Sequence, residues 1–403
     1  MYTVGREEID AVRKVLESGK VFRYGIGGEC SRFEERYAGF VGSSNCLQTA
    51  SGTNALTAAL IGAGIGPGDE VIVPACTYMA TPIAVLAAGA IPVIVDIDES
   101  IGIDPAALET AIGPRTRAVI PVHMWGLACD MDAIMEISRR RGLIVIEDAC
   151  QAVGGAYVGR DGSRRMLGSI GAVGAFSFNY YKNMTCGEGG AIVTDDPQIA
   201  ERAMCAIDPC RFYWDGRENT FAGFVTNGAR ASEIEGAILN AQLDRIEGMI
   251  ARMRDEKAAV LSRTTGDGLR AAPDNSPRGG CGTHVMYQFD ASAAAEAFAE
   301  GAGGTVLIRT GRHVYTEWDP ILDHRGGPHP ALNPYQMAEN RECRMAYDRD
   351  MCARTLDILS RTVSVQMHPE HTSAAVDALV DRVLAAAAGA EEAAANQTAA
   401  GTR

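Results

Sequence analysis

The stretch Leu143-Ile144-Val145-Ile146-Glu147-Asp148-Ala149-Cys150-Gln151 sets the reading of the whole chain. Its apolar residues follow one another without alternating in polarity, which predicts a strand covered on both faces, and two carboxylates close the run. The same kind of run recurs at Glu70–Pro74 (EVIVP), Ile91–Val95 (IPVIV), Arg117–Pro121 (RAVIP), Ala172–Phe178 (AVGAFSF) and Gly190–Thr194 (GAIVT). Helically spaced apolar residues lie between several of these runs, as in Met131–Arg141. Such alternation predicts an α/β domain on a largely parallel sheet. Ligands of such sheets bind beyond the carboxyl ends of the strands, which is where Asp148 stands. A buried carboxylate is costly unless it meets a cation or hydrogen-bond donors. The plainer alternative is an aspartate that caps the following helix.

Two further clusters flank this one. Upstream, Ser51-Gly52-Thr53-Asn54-Ala55-Leu56 joins a strand-like segment, Cys46–Thr49, to a helical run, Leu56–Ala63. A small, glycine-containing helix entry leaves backbone N–H groups pointing outward, and with the helix dipole these form a phosphate site to which Thr53 adds a hydroxyl. Alone, the segment reads equally as a helix cap. Downstream, Phe176-Ser177-Phe178-Asn179-Tyr180-Tyr181-Lys182 runs into Asn183-Met184-Thr185-Cys186-Gly187-Glu188-Gly189-Gly190 and places Lys182 between a strand and a glycine-rich turn. Most loop lysines are solvated. A buried one loses its proton readily and becomes a Schiff-base nucleophile. Phosphate cradle, acid and lysine, spread over roughly a hundred and thirty residues, are the parts that pyridoxal phosphate needs. Its phosphate must be anchored and its aldehyde must meet an amine. Its ring nitrogen must stay protonated, which an aspartate facing it achieves.

At 403 residues the chain exceeds the usual size of a single core and predicts a large and a small domain. We place the N-terminal segment and large domain at 1–245 and a smaller C-terminal α/β domain at 246–388. The low-complexity stretch 389–403 is expected to be a disordered tail. Helical patterns cover Val4–Ser18, Arg230 to about Ser262 and Ser373–Ala388, and a strand is expected at His284–Phe289. The formal net charge of -14 argues against nucleic acid or an anionic membrane as partner. Pro82–Val95, the longest apolar stretch, is broken by Gly89 and Pro92 and is too short to span a bilayer. No secretory signal is visible in the first residues. Eleven cysteines are scattered without CxxC spacing, so free thiols in a reducing cytoplasm are expected. Cys281 and His284 form one CxxH pair without a second, and no metal is expected.

The sequence resembles the DegT–StrS family of sugar and aminocyclitol aminotransferases, which have the aspartate-aminotransferase fold (fold type I of the pyridoxal-phosphate enzymes). The resemblance rests on Gly28–Phe33 and SGTNAL, then GPGDEVIVPACTYMAT (66–81) and PVHMWGLACDMD (121–132). It continues through VIEDACQAVGGAYVGR (145–160), GAFSFNYYKNMTCGEGGAIVT (174–194) and ASEIEGAILNAQLDRI (231–246), in collinear order. It implies that Lys182 is the Schiff-base lysine and that Asp148 pairs with the pyridine nitrogen. Gln151 is implied near the phenolic oxygen, Tyr78 stacked on the ring, and Gly52, Thr53 and Ser177 at the phosphate. The family's G-x-N-x-R-M segment departs here to Thr226-Asn227-Gly228-Ala229-Arg230-Ala231. Asn227, offset by one residue, is the candidate for the neighbouring subunit's phosphate. Tyr180-Tyr181 precedes the lysine where smaller or more polar residues are usual.

RTGRHVYTEW (309–318) lies where the family often has an H-Y-x-x-P-L-H substrate segment, which makes Arg309, Arg312, His313 and Tyr315 candidate substrate contacts beside Arg230. A surface loop is the competing reading for each. The resemblance implies a homodimer with shared sites, which the free thiols place in the cytoplasm. It would aminate a nucleotide-linked keto-sugar or a keto-cyclitol with glutamate or glutamine, in antibiotic or surface-sugar biosynthesis. A family dehydratase using pyridoxamine phosphate carries histidine at the lysine position, so Lys182 argues against that alternative. A non-catalytic regulator on the same fold is the other.

Overall fold

The computed structural model describes residues 4–24, 27–211, 223–266 and 269–401. Five strands come first: β1 (Asn45–Thr49), β2 (Glu70–Pro74), β3 (Ile91–Val95), β4 (Thr116–Val119) and β5 (Ile144–Asp148). A small antiparallel hairpin, β6 (Ala156–Val158) and β7 (Arg164–Met166), precedes β8 (Val173–Ser177) and β9 (Gly190–Thr194). The main sheet has seven strands in the order β1-β9-β8-β5-β4-β2-β3. Pairing is parallel from β8 to β3. Only β9 runs against its neighbours. A short connection from β8 suffices for it, whereas the parallel strands need crossovers, several of them helical. That connection carries Lys182.

Both faces of the sheet are covered. Val145 joins one buried cluster with Phe33, Tyr37 and Phe176, while its neighbour Ile146 joins another with Leu56, Val73 and Ile192. A strand with both faces buried has no reason to alternate in polarity, which is why β2, β3 and β9 were legible in the sequence to the residue. The pattern read as one helix from Arg230 to about Ser262 is two, Glu233–Leu243 and Ile246–Thr264. The break falls where Asp244 meets Arg36 and Arg245 meets the buried Glu8, tertiary ion pairs that local propensity does not contain.

The second sheet, β10 (Arg270–Ala271), β11 (His284–Gln288), β12 (Thr305–Val306) and β13 (Thr362–Gln366), is antiparallel in the order β10-β11-β13-β12. Val285 and Val363 pack with Phe298 and Val383 of its two flanking helices. The helix Ile246–Thr264 bridges the sheets, giving Met253 to one core and Val260 to the other.

Not all of 246–388 belongs to this second unit. Tyr315, Trp318, Ile321 and Cys343 pack on Ala75, Leu86 and Ile91 of the first sheet's side. Arg344 donates from its backbone N at 2.7 Å and its Nε at 3.1 Å to the buried Glu70, and Tyr347 bonds the Pro92 carbonyl at 2.8 Å. The last helix runs from Ser373 to Gly401, where a disordered tail was expected from 389; its alanine-rich sequence has the highest helix propensity available. All eleven cysteines are thiols. No helix among the described residues is long and apolar enough to cross a membrane.

Candidate active site

β1, β2, β5 and β8 point the same way, so the segments leaving their carboxyl ends converge. They meet at a cleft of about 490 Å³ lined by Gly52, Thr53, Tyr78, Asp148, Gln151, Ser177, Lys182, Arg312 and His313.

One end is built for an anion. Ser51 caps the helix Gly52–Gly62: its Oγ accepts the Asn54 N–H at 3.1 Å and its carbonyl the Ala55 N–H at 2.9 Å. The Gly52 and Thr53 amides are thereby left at the open helix start, with Ser177 beside them. Gly52 is required by close approach, since a Cβ there would lie 2.7 Å from Ser177 Cβ and 2.9 Å from Cys150 Sγ.

Asp148 is 5% exposed. Its Oδ2 accepts the Thr81 hydroxyl at 2.8 Å and its Oδ1 the Cys150 N–H at 3.1 Å. No helix directly follows Asp148, so the capping reading fails: the Cys150 amide belongs to a turn between β5 and β6. No lysine, arginine or histidine among the described residues pairs with it, so a buried carboxylate faces the cleft with neutral donors alone. Its neighbour Glu147 is the opposite case. It accepts the backbone N–H groups of Gly168 at 2.8 Å, Ile170 at 2.5 Å and Gly171 at 2.6 Å, and lies 3.0 Å from His123 Nε2.

Lys182 is half-buried, its backbone N–H held by the Asn179 carbonyl at 2.9 Å. Among the described residues its Nζ makes no hydrogen bond and no ion pair. Burial pushes the Cys150 thiol well up and Asp148 adds to this, with Lys182 opposing. Gln151 Oε1 accepts the Trp125 N–H at 3.0 Å, which fixes the amide toward the cleft's rim. The opposite wall is aromatic and basic. Tyr78 is 41% exposed, the Arg312 guanidinium carbon lies 6.0 Å from its ring centroid, and the His313 ring lies 5.6 Å away. His313 Nδ1 faces the Thr310 carbonyl at 3.2 Å, to which it donates. Burial lowers its pKa, with the Thr310 carbonyl opposing and the charges of Lys182 and Arg312 adding to the fall.

Four candidates lie elsewhere. Arg309 pairs with Glu296 at 2.7 Å and borders a separate, open hollow of about 660 Å³ on the second sheet's side. Tyr315 is fully buried, and its hydroxyl is satisfied by the Arg349 carbonyl and the Cys352 N–H; a large ring with both polar needs met inside belongs to the core. Asn227 is exposed, and Arg230 pairs with Asp208 at 3.5 Å; neither lines this chain's cleft. The sequence reading missed Thr81. The signal was the pair Thr77 and Thr81, four apart, whose hydroxyls meet at 2.7 Å.

The architecture and this arrangement of strand ends are those of aminotransferases. DesV of S. venezuelae, solved in complex with a ketimine intermediate, superposes with a TM-score of 0.72 at 30% identity, over 94% of both chains. The model of the DegT/DnrJ/EryC1/StrS aminotransferase family matches residues 3–298, and the chain belongs to that family. It is 42% identical over 279 residues, 68% of this chain and 70% of the relative, to dTDP-3-amino-3,4,6-trideoxy-alpha-D-glucose transaminase of Streptomyces venezuelae. It is 36% identical over 286 residues, 70% and 71% of the two chains, to 3-amino-5-hydroxybenzoate synthase of Amycolatopsis mediterranei.

Proposed function

We propose that this aminotransferase uses pyridoxal 5'-phosphate to move an amino group from glutamate or glutamine onto a nucleotide-linked keto-sugar or a keto-cyclitol. The observation that carries the reading is the pairing, in one cleft, of an uncommitted Lys182 with a buried Asp148 that lacks a cation. The residues fit the cofactor. The tight Gly52 turn suits a phosphate, Asp148 suits a ring N–H, and Tyr78 suits a flat face. When bound, the cofactor supplies an electron sink for the amino acid's Cα. Lys182 Nζ takes and returns the proton at that Cα. Asp148 holds the proton on the ring nitrogen, Gln151 orients the phenolic side, and Gly52, Thr53 and Ser177 hold the phosphate.

Exposed Asn227, with Val225 93% and Tyr181 83% exposed, supports a homodimer in which Asn227 serves the neighbouring copy's cleft. Free thiols support a cytoplasmic enzyme, and a relative named as a spore coat polysaccharide biosynthesis protein supports surface-sugar biosynthesis as the setting, with antibiotic biosynthesis the other reading. We read 1–245 and 246–388 as two domains of chain with 312–352 folded back on the first.

Borohydride reduction followed by peptide mapping is expected to place the cofactor on Lys182, and Lys182→Ala to abolish the attachment. Its recovery on another lysine would sink the assignment. Incubating the pyridoxamine-loaded form with keto-sugars and keto-cyclitols then identifies the acceptor, by return of the cofactor's original absorbance.

A further inference from the structure

Three arginines compete to recognise a carboxylate, and their surroundings separate them. Arg230 and Arg309 are each committed to a carboxylate of this chain, Asp208 and Glu296. Arg312 has no hydrogen-bond or ion-pair partner for its guanidinium among the described residues, and it lines the cleft. Neither acidic group of that cleft pairs with Arg312: Asp148 accepts from Thr81 and Cys150, and Glu188 from the Asn179 amide at 3.0 Å.

The root of Arg312 is fixed. Its carbonyl accepts the Met79 N–H at 3.1 Å and the Trp318 indole N–H at 3.0 Å, and the Tyr315 N–H bonds Ala75 O at 3.0 Å. The guanidinium is also set against the Tyr78 ring, a contact that leaves its N–H edge for a ligand. A planar cation with a fixed root and an unused donor edge matches a carboxylate taken through two parallel hydrogen bonds.

We infer that Arg312 is the carboxylate clamp of this cleft, taking the α-carboxylate of the amino donor or an acid group of the keto substrate. The inference rests on the aminotransferase reading and assigns that site a residue it otherwise lacks. His313 lies beside it, its Nδ1 turned to the Thr310 carbonyl at 3.2 Å.

The test is calorimetric titration of the cofactor-loaded enzyme with glutarate, a dicarboxylate that has no amino group to react. Arg312→Gln is expected to weaken glutarate by about ten- to a hundredfold, the loss of one charge-assisted pair, while cofactor content stays full. Arg312→Lys should recover part of the loss, because the charge returns without the fork. Arg309→Gln, outside the cleft, should bind as the parent does. The half-reactions then name the source. A raised KM for glutamate or glutamine assigns the clamp to the donor, and a raised KM for the keto substrate assigns it to an acidic acceptor. Glutarate binding within about twofold of the parent in Arg312→Gln, or loss of cofactor in its place, overturns the inference. Failure of the aminotransferase reading looks different: no amino acid would convert the bound cofactor, whatever glutarate does.

Discussion

Glu147 and Asp148 are consecutive residues of one strand, turned to opposite faces of the sheet, and they live in opposite surroundings. On Glu147's side, backbone amides of Gly168, Ile170 and Gly171 and the ring of His123 surround a carboxylate with no exposure at all. On Asp148's side, one hydroxyl and one amide leave the carboxylate turned to a cleft. The first region holds a loop to a strand and is complete. The second is incomplete until something with a positive charge or an N–H arrives. Burial alone does not separate a structural acid from a functional one; the tally of donors does.

The sharpest way to break this contrast is to remove each charge in turn. Asp148→Asn is expected to lower turnover by about a hundredfold or more, with unfolding by urea nearly unchanged. Glu147→Gln is expected to do the reverse. It should cost about 2–4 kcal/mol of stability, since an amide cannot accept from that many donors, and turnover per folded molecule should stay within about twofold. Exchange of the two phenotypes would reverse the assignment of the faces.

Gly52→Ala tests the anion end of the cleft. The added methyl meets Ser177 and Cys150 at 2.7 and 2.9 Å, so β8 and the helix must part. Cofactor affinity, followed by absorbance titration, should fall by about tenfold, and an unchanged affinity would show that the helix start is not the phosphate seat.

A third buried carboxylate, Glu70, sits at the opposite end of the sheet and gives the smallest effect. Burial would raise its pKa, but the side chain and backbone N–H of Arg344 outweigh this and hold it below the ordinary glutamate value. A carboxyl depressed in the fold stabilises it above the unfolded-state pKa, and that contribution disappears as pH falls through the folded value. Arg344→Gln should therefore cost about 1 kcal/mol at pH 7, because the arginine is 46% exposed and screened. The gap between mutant and parent should close on acidification. A gap that is the same at acid and neutral pH would mean that packing, not charge, is lost.

The main sheet was legible because burial on both faces writes itself as unbroken apolar runs, and Lys182 and Asp148 stand at the ends of such runs. Contacts between distant segments were not. Thr81 lies 67 residues from the Asp148 it bonds, and no local pattern announces that meeting. Tyr315 stood two residues from His313 in a motif-like stretch, yet the Arg349 carbonyl and Cys352 N–H decide its place, and both come from much later in the chain. From Leu307 to Asn340 the elements are 3-10 pieces of three residues and one four-residue α-helix, Asp319–Leu322, all too short to show a period.

The folding of 312–352 onto β2 and β3 has a mechanical consequence. Lys182 and Arg312 ride on the same sheet, one through the β8–β9 turn and the other through the bonds to Met79 and Ala75. If Lys182 and Arg312 serve as proposed, the span between amine and guanidinium is set by one sheet, and acts as a gauge for what enters rather than as a jaw that closes on it.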